Sequence, residues 1–225
     1  LMELIKQLLD FRKVDKEGYA LSFNEVNINR MTEEIIDRFR AISLTGISFS
    51  VSLPKEHLQY NVDQEALTKI VSNLLTNAMK YARSRIMVIL DEHLSAEGRT
   101  LSICVRDDGP GIPQDECSKV FEPFYQVGNA GNNGSGVGIG LSLVKLLVEK
   151  HNGKVFINPN YAEGCEVCVE IPYLEKSIPA THAVTSMPDE GPAPEEETES
   201  GSYSLLVVED TTDMLEFLAK NLGNA

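Results

Sequence analysis

Three polar residues, Asn73, Asn77 and Lys80, fall within about 60° of one another if the stretch that carries them is helical. An amide oxygen is a ligand for a hard cation, and an ammonium complements phosphate. One such face could meet one metal–phosphate group; by itself it reads equally as a solvated helix face. Further along, Asp107-Asp108-Gly109-Pro110-Gly111-Ile112-Pro113 follows a strand-like run. Two glycines and two prolines there require a tight turn. A carboxylate at the strand end can accept a hydrogen bond from an exocyclic amine, and Gly111 lets a flat ring approach the backbone. Third, Gly134-Ser135-Gly136-Val137-Gly138-Ile139-Gly140-Leu141 opens a helical pattern. Glycines at a helix start expose backbone N–H groups and the positive end of the dipole, which suits phosphate. No Gly-Lys-Ser/Thr follows, and Ile139 and Leu141 stand where a GxGxxG register needs glycine, so a P-loop and a dinucleotide fingerprint are both excluded. Between the second and third motifs lie Phe121-Glu122-Pro123-Phe124-Tyr125-Gln126 and a Gly- and Asn-rich stretch, an aromatic anchor followed by a candidate lid.

These groups need elements to hold them. Leu1 to about Val14 carries a broad apolar stripe and reads as the end of a helix whose bundle partner is elsewhere, so a longer parent polypeptide is expected. Tyr19–Ile28 alternates like a strand, and Asn29 is a candidate cap for the helix after it. Ile47–Leu53 and His57–Val62 read as short strands. Asp63 is the predicted N-cap of a helix whose stripe is Leu67, Ile70, Val71, Leu74, Leu75, Ala78 and Ala82, with Asn73, Asn77 and Lys80 roughly opposite. Strands are expected at Ile86–Leu90 and Leu101–Arg106, then a helix from about Val137 to Lys150 with His151 capping its end, then strands at Lys154–Asn158 and Glu166–Ile171.

The 225 residues are 42% hydrophobic and 24% charged, enough for a core and too apolar for a chain disordered throughout. The net charge of −14 argues against non-specific binding to nucleic acid or anionic lipid, but most of it lies in residues 175–225. Four cysteines are too few for a disulfide scaffold. Cys165 and Cys168 form a CxxC inside an alternating stretch, where side chains three apart point to opposite faces; no second CxxC completes a zinc site, and both are expected to be buried free thiols. Residues 175–203 alternate Pro with Glu and read as a linker, and Leu205–Asp210 with the helix-like segment after it reads as the start of another domain, expected not to fold natively alone.

The four motifs, in this order, resemble the N, G1, F and G2 boxes of the catalytic ATP-binding domain of two-component sensor histidine kinases: Asn73 to Tyr81, Asp107 to Gly111, Phe121 to Tyr125 and Gly136 to Leu141. The flanks resemble the same family. Leu8 to Val14 is similar to the end of the dimerisation and histidine-phosphotransfer helix, and Leu205 to Asp210 to the first strand of a receiver, as in a hybrid kinase. The resemblance implies an α+β fold: a two-layer α/β sandwich of the Bergerat type, with helices on one face of a mixed sheet. It implies residues 1–17 as helix end, 18–174 as catalytic domain, 175–203 as linker and 204–225 as receiver start. It implies ATP and Mg²⁺ as cofactors. Asp107 would bind the adenine amine with Gly109, Gly111 and Ile112 around it. Tyr81 would face the nucleoside. Asn73, Asn77 and Lys80 would be the catalytic metal–phosphate group, with Asn77 the Mg²⁺ ligand. Gly136, Gly138, Ile139, Gly140 and Leu141 would contact phosphate, and Phe121 and Phe124 would anchor the lid.

Cys165 stands near the adenine where the family usually has Thr or Ser, Asp108 where it has Asn, and Ala82 where it has a small hydroxyl residue. The hydrolysing relatives carry a glutamate four residues before the metal asparagine; Asn73 holds that place, and an amide is no general base near neutral pH. The implied reaction is delivery of the γ-phosphoryl of Mg-ATP to a histidine on a separate helical domain, for relay to a receiver aspartate. None of His57, His93, His151 and His182 lies in such a helix, so the phosphoacceptor is expected elsewhere in the parent. A non-catalytic nucleotide-binding module of the same fold is the alternative. Expected partners are the phosphotransfer domain of the same polypeptide and a receiver, with no nucleic acid contact. The parent is expected to be a homodimer anchored in the bacterial inner membrane, with this domain in the cytoplasm.

Overall fold

A computed structural model describes residues 2–16, 19–43, 46–54, 56–95, 98–127 and 138–173. The expected linker, the receiver-like segment and residues 128–137, with Gly136, lie outside them.

Two strands lead into helices through side-chain caps. β1 (Asn24–Asn27) pairs antiparallel with β3 (Gln59–Val62). β1 ends at Asn27, whose side chain accepts from Arg30 N–H at 3.0 Å and caps α2 (Ile28–Ile42). Asn29 is therefore not the cap. It is buried inside the first turn, where its Oδ1 accepts from Leu58 N–H at 2.8 Å and fixes the approach to β3. β3 ends at Asp63, which caps α3 (Gln64–Tyr81) by accepting from Ala66 N–H at 2.9 Å.

The main sheet has the order β2-β4-β5-β7-β6. β2 (Ser48–Ser52) runs parallel to β4 (Arg85–Ser95); β5 (Gly98–Asp107), β7 (Cys165–Pro172) and β6 (Lys154–Ile157) continue it antiparallel. Period-two alternation divides the sheet. Ile86, Val88, Leu90, Leu101, Ile103, Val105, Val167, Val169 and Ile171 are buried on the helix side. There they meet Leu67, Ile70, Val71, Leu74 and Leu75 of α3 and Val144, Leu147 and Val148 of α4 (Gly140–Lys150). This is the expected α+β arrangement, one layer of helices on a mixed sheet. β4 and β5 are longer than their apolar runs, because pairing continues past the core from Leu90↔Ile103 to Ser95↔Gly98.

The other face carries the opposite parity. Cys104 and Cys168 are direct cross-strand partners there and form a disulfide, so Cys168 is not the free thiol expected; Cys165, on the helix side, is free. Cys104, Glu166 and Cys168 are the only close His/Cys/Asp/Glu group among the described residues, and their sulfurs are joined.

α1 (Met2–Asp15) buries part of its apolar stripe. Val14 is fully buried, Leu8 nearly so, and Phe11 packs on the core, leaving Leu9 exposed. An ion pair between Asp10 and Lys69 at 3.1 Å joins α1 to α3. His151 ends α4 as its C-cap residue, but not as a cation on the dipole. Its ring is fully buried, its Nε2 accepts from Asp63 N–H at 3.3 Å, and its Nδ1 donates to Leu147 C=O at 2.8 Å. The ring is neutral, burial lowers its pKa, and it ties the end of α4 to the start of α3.

Candidate functional site

A cavity of about 340 Å³ opens between α3, the start of α4 and the ends of β5 and β7. Strand parity explains its floor. Asp107 and Cys165 are cross-strand partners of the core-facing parity, placed where the helix layer no longer covers the sheet. Asp107 is 6% exposed. Its Oδ1 accepts from Gly109 N–H at 2.8 Å, and its carboxylate also takes the backbone N–H of Cys165. No cation is bonded to it among the described residues, and burial raises its pKa. Cys165 is likewise raised, to about 12, chiefly by burial, so it is a neutral thiol. Asp108 points away and does other work. Its oxygens accept from the backbone N–H groups of Arg83, Ser84 and Arg85 and from Ser84 Oγ, closing the turn between α3 and β4 and holding its own pKa well below the carboxylate range.

The other end of the cavity is built by α3 against the start of α4. Asn73 and Asn77 line it with Gly140 and Leu141. Asn73 Nδ2 donates to Lys69 C=O at 2.8 Å, so its Oδ1 is the atom turned toward α4. A Cβ on Gly140 would lie 3.2 Å from that oxygen. Helix α4 starts at Gly140 rather than Val137, so its first turn, whose N–H groups have no partner within the helix, lines the cavity together with the two asparagines. Gly138 has φ +75°, and a Cβ there would meet Phe124 C at 2.7 Å. Only glycine fits, and the close approach lets Phe124 N–H donate to Gly138 C=O at 3.0 Å. Lys80 and Tyr81 are exposed at the rim, the ammonium 4.9 Å from the ring centroid.

Of the expected site residues, Asn73, Asn77, Lys80, Tyr81, Asp107, Gly111, Ile112, Gly138, Ile139, Gly140, Leu141 and Cys165 line this one cavity. Gly109 does not; it serves the site by donating its N–H to Asp107. Phe124 does not either; it acts through its backbone, while Tyr125, Gln126 and Val127 reach the cavity. Leu74 and Ala78 of the core stripe also line it, so the polar face of α3 borders its apolar face rather than opposing it. Gly164 also shapes the site, since a Cβ there would lie 2.0 Å from the Asp107 carbonyl oxygen, but an isolated glycine before a strand is too common a pattern to mark it in sequence. Gln7 of α1 also lines the cavity, and nothing local to its sequence indicates so.

No helix among the described residues is long and apolar enough to cross a membrane. The family described as histidine kinase-, DNA gyrase B-, and HSP90-like ATPase matches residues 62–175. The chain is 30% identical over 177 residues to the sensor histidine kinase WalK of Bacillus subtilis (strain 168), covering 78% of this chain and 29% of that protein. It is 31% identical over 173 residues to the sensor protein kinase WalK of Staphylococcus saprophyticus, 76% of this chain and 28% of that one. The chain thus spans under a third of the length of either of these two relatives. Among solved structures, the mycobacterial sensor histidine kinase MprB aligns with TM-score 0.57 and 26% identity, over 68% of this chain and 98% of that one. Full-length ShkA in complex with AMPPNP aligns with TM-score 0.67 and 22% identity, over 76% of this chain and 35% of that one, a likeness of fold.

Proposed function

This chain belongs to the histidine kinase-, DNA gyrase B- and HSP90-like ATPase family, and we propose that it is the ATP-binding kinase domain of a two-component sensor kinase. It would present the γ-phosphoryl of Mg-ATP to a histidine on a separate helical domain. The observation that carries the reading is the cavity's polarity. A buried, uncompensated carboxylate acceptor stands at one end, and two amides and a helix N-terminus stand at the other.

The residues present fit the ligand. Asp107 would accept the adenine amine, with Gly111 and Ile112 against the ring. The neutral Cys165 thiol is a poor donor and would contribute packing more than a hydrogen bond. The N–H groups at the start of α4 and the Lys80 ammonium would hold phosphate oxygens. Asn77 would hold Mg²⁺ through its amide oxygen; with no carboxylate beside it among the described lining residues, most of the ion's shell would come from phosphate and water. The bound ion would supply charge neutralisation to the triphosphate. Asn73 presents an oxygen to the same end but cannot take a proton from water, which favours transfer over hydrolysis. Positioning and neutralisation are most of what phosphoryl transfer requires.

We extend the reading to the parent. Residues 1–17 would end its phosphotransfer helix, 175–203 would be a linker, and 204–225 would open a receiver. The parent would be a homodimer anchored in the bacterial inner membrane, with this domain on the cytoplasmic side. Calorimetric titration of ATP with and without Mg²⁺, beside Asn77→Ala, tests the site: loss of the Mg²⁺ dependence in the variant is the expected result. Mg²⁺-dependent label transfer from [γ-³²P]ATP to a supplied histidine-phosphotransfer domain then tests the activity. Binding without transfer would leave only the nucleotide-binding module, and steady phosphate release lost in Asn73→Ala would mark a hydrolase instead.

A further inference from the structure

We propose that Gln7, on α1, is a nucleotide contact at the terminal-phosphate end of the cavity, so that the N-terminal helix is a wall of the site and not only its neighbour; this rests on the nucleotide reading above. Gln7 lines the cavity together with Asn73, Thr76 and Asn77 of α3. The placement follows from helix geometry. Gln7, Asp10 and Val14 stand three and seven residues apart and share one face of α1. Val14 is fully buried in the core, and Asp10 pairs with Lys69 at 3.1 Å with both side chains about three-quarters covered. Stepping back one turn from Asp10 to Gln7 corresponds to stepping forward one turn on α3, from Lys69 to Asn73. The helices therefore run antiparallel here, and Gln7 is delivered to the turn that holds the two asparagines. α1 also packs on α4, whose first residue Gly140 faces Asn73.

The chemistry of that wall makes a donor useful. Asn73 spends its N–H₂ on Lys69 C=O and turns only an acceptor to the cavity. Among the described residues the Gln7 side-chain amide has no hydrogen-bond partner, so its N–H₂ is available. A neutral N–H donor there can read a terminal phosphate oxygen without adding charge to the cation and ammonium already assigned to that end. The linkage is reciprocal. A ligand that keeps its terminal phosphate would hold α1 against α3 and α4, and a docked α1 would favour that ligand over one that lacks it.

Titration calorimetry of the 225-residue chain with ATP and with ADP tests this, comparing wild type, Gln7→Ala, Gln7→Glu and Asp107→Ala. Gln7→Ala should weaken ATP about three- to tenfold, the loss of one hydrogen bond, and leave ADP unchanged. Gln7→Glu keeps the size and sets a carboxylate against phosphate, so it should weaken ATP further and ADP less. A parallel loss for both nucleotides would reduce Gln7 to packing and overturn the inference. So would unchanged ATP affinity in both Gln7 variants while Asp107→Ala abolishes binding, an outcome that leaves the nucleotide reading standing. Wild-type affinity in Asp107→Ala would overturn the nucleotide reading, and the role of Gln7 with it.

Discussion

Two carboxylates are buried at the same end of the sheet, one residue step apart and on opposite faces. Asp107 is 6% exposed and Glu166 2%. Glu166 is answered on both oxygens: Arg106, its cross-strand partner, bonds one, and Asn158 bonds the other. Arg106 in turn lies 5.1 Å from the Tyr161 ring centroid. Among the described residues Asp107 receives only backbone N–H groups and has no cation, and it opens onto a cavity. Burial alone does not separate structure from function here. Compensation does: a matched buried charge holds strands together, whereas one with acceptor capacity left over facing empty space is arranged for something that arrives later.

The comparison can be broken by experiment. The largest expected effect is on Asp107→Ala, which should lose roughly 100-fold in adenine nucleotide affinity, the value of a hydrogen bond to a charged acceptor, by calorimetry. It should lose little stability, because it removes a buried charge that has no counter-charge. Glu166→Gln should do the reverse. It leaves the half-exposed Arg106 unmatched, so urea unfolding should show a loss of about 1–3 kcal/mol, with nucleotide affinity unchanged. If Asp107→Ala unfolds the protein and Glu166→Gln empties the site, the distinction is wrong.

His151 sharpens the same contrast with a buried base in place of a buried acid. Its ring is buried and neutral, and its folded pKa lies below the ordinary value because of desolvation, which outweighs the Leu147 carbonyl and the nearby Asp63 charge. The unfolded chain therefore binds the extra proton first. The stability from His151 is complete above its unfolded pKa of about 6.5 and is lost as the pH falls toward the lower folded value. Chemical denaturation from pH 7.5 to 5 should show wild type losing stability more steeply than His151→Gln. Equal slopes would mean that the ring charges without cost. The smallest effect is expected of Cys165→Ser. A thiol held neutral gives a weak donor at best, so the hydroxyl should strengthen adenine binding by no more than about threefold.

Much of this was legible in sequence because it depends on local rules. Asp63 is a cap by type and position, the stripe on α3 has helical period, and β5 and β7 alternate. A local rule does not decide where it has two solutions. Asn27 and Asn29 are both asparagines at the start of α2, and the demand of Leu58 N–H for an acceptor put the second one inside the helix. The cysteines show the same limit. Parity correctly set Cys165 and Cys168 on opposite faces, but only the β5–β7 register brings Cys104 opposite Cys168.

The candidate site divides along this line too. The sequence by itself determined which groups are available, since the amides, the Asp107 turn and the glycines before α4 are fixed by residue type and short spacing. It also excluded a water-activating base at position 73. The tertiary structure decided which of these groups share a cavity, that Phe124 and Gly109 serve it through the backbone, and that Gln7 reaches it from another helix. The reason is the range of the forces involved. Caps, turns and periodicity act over a few residues, whereas a cavity is what remains when elements distant in the chain have buried their apolar faces against one another.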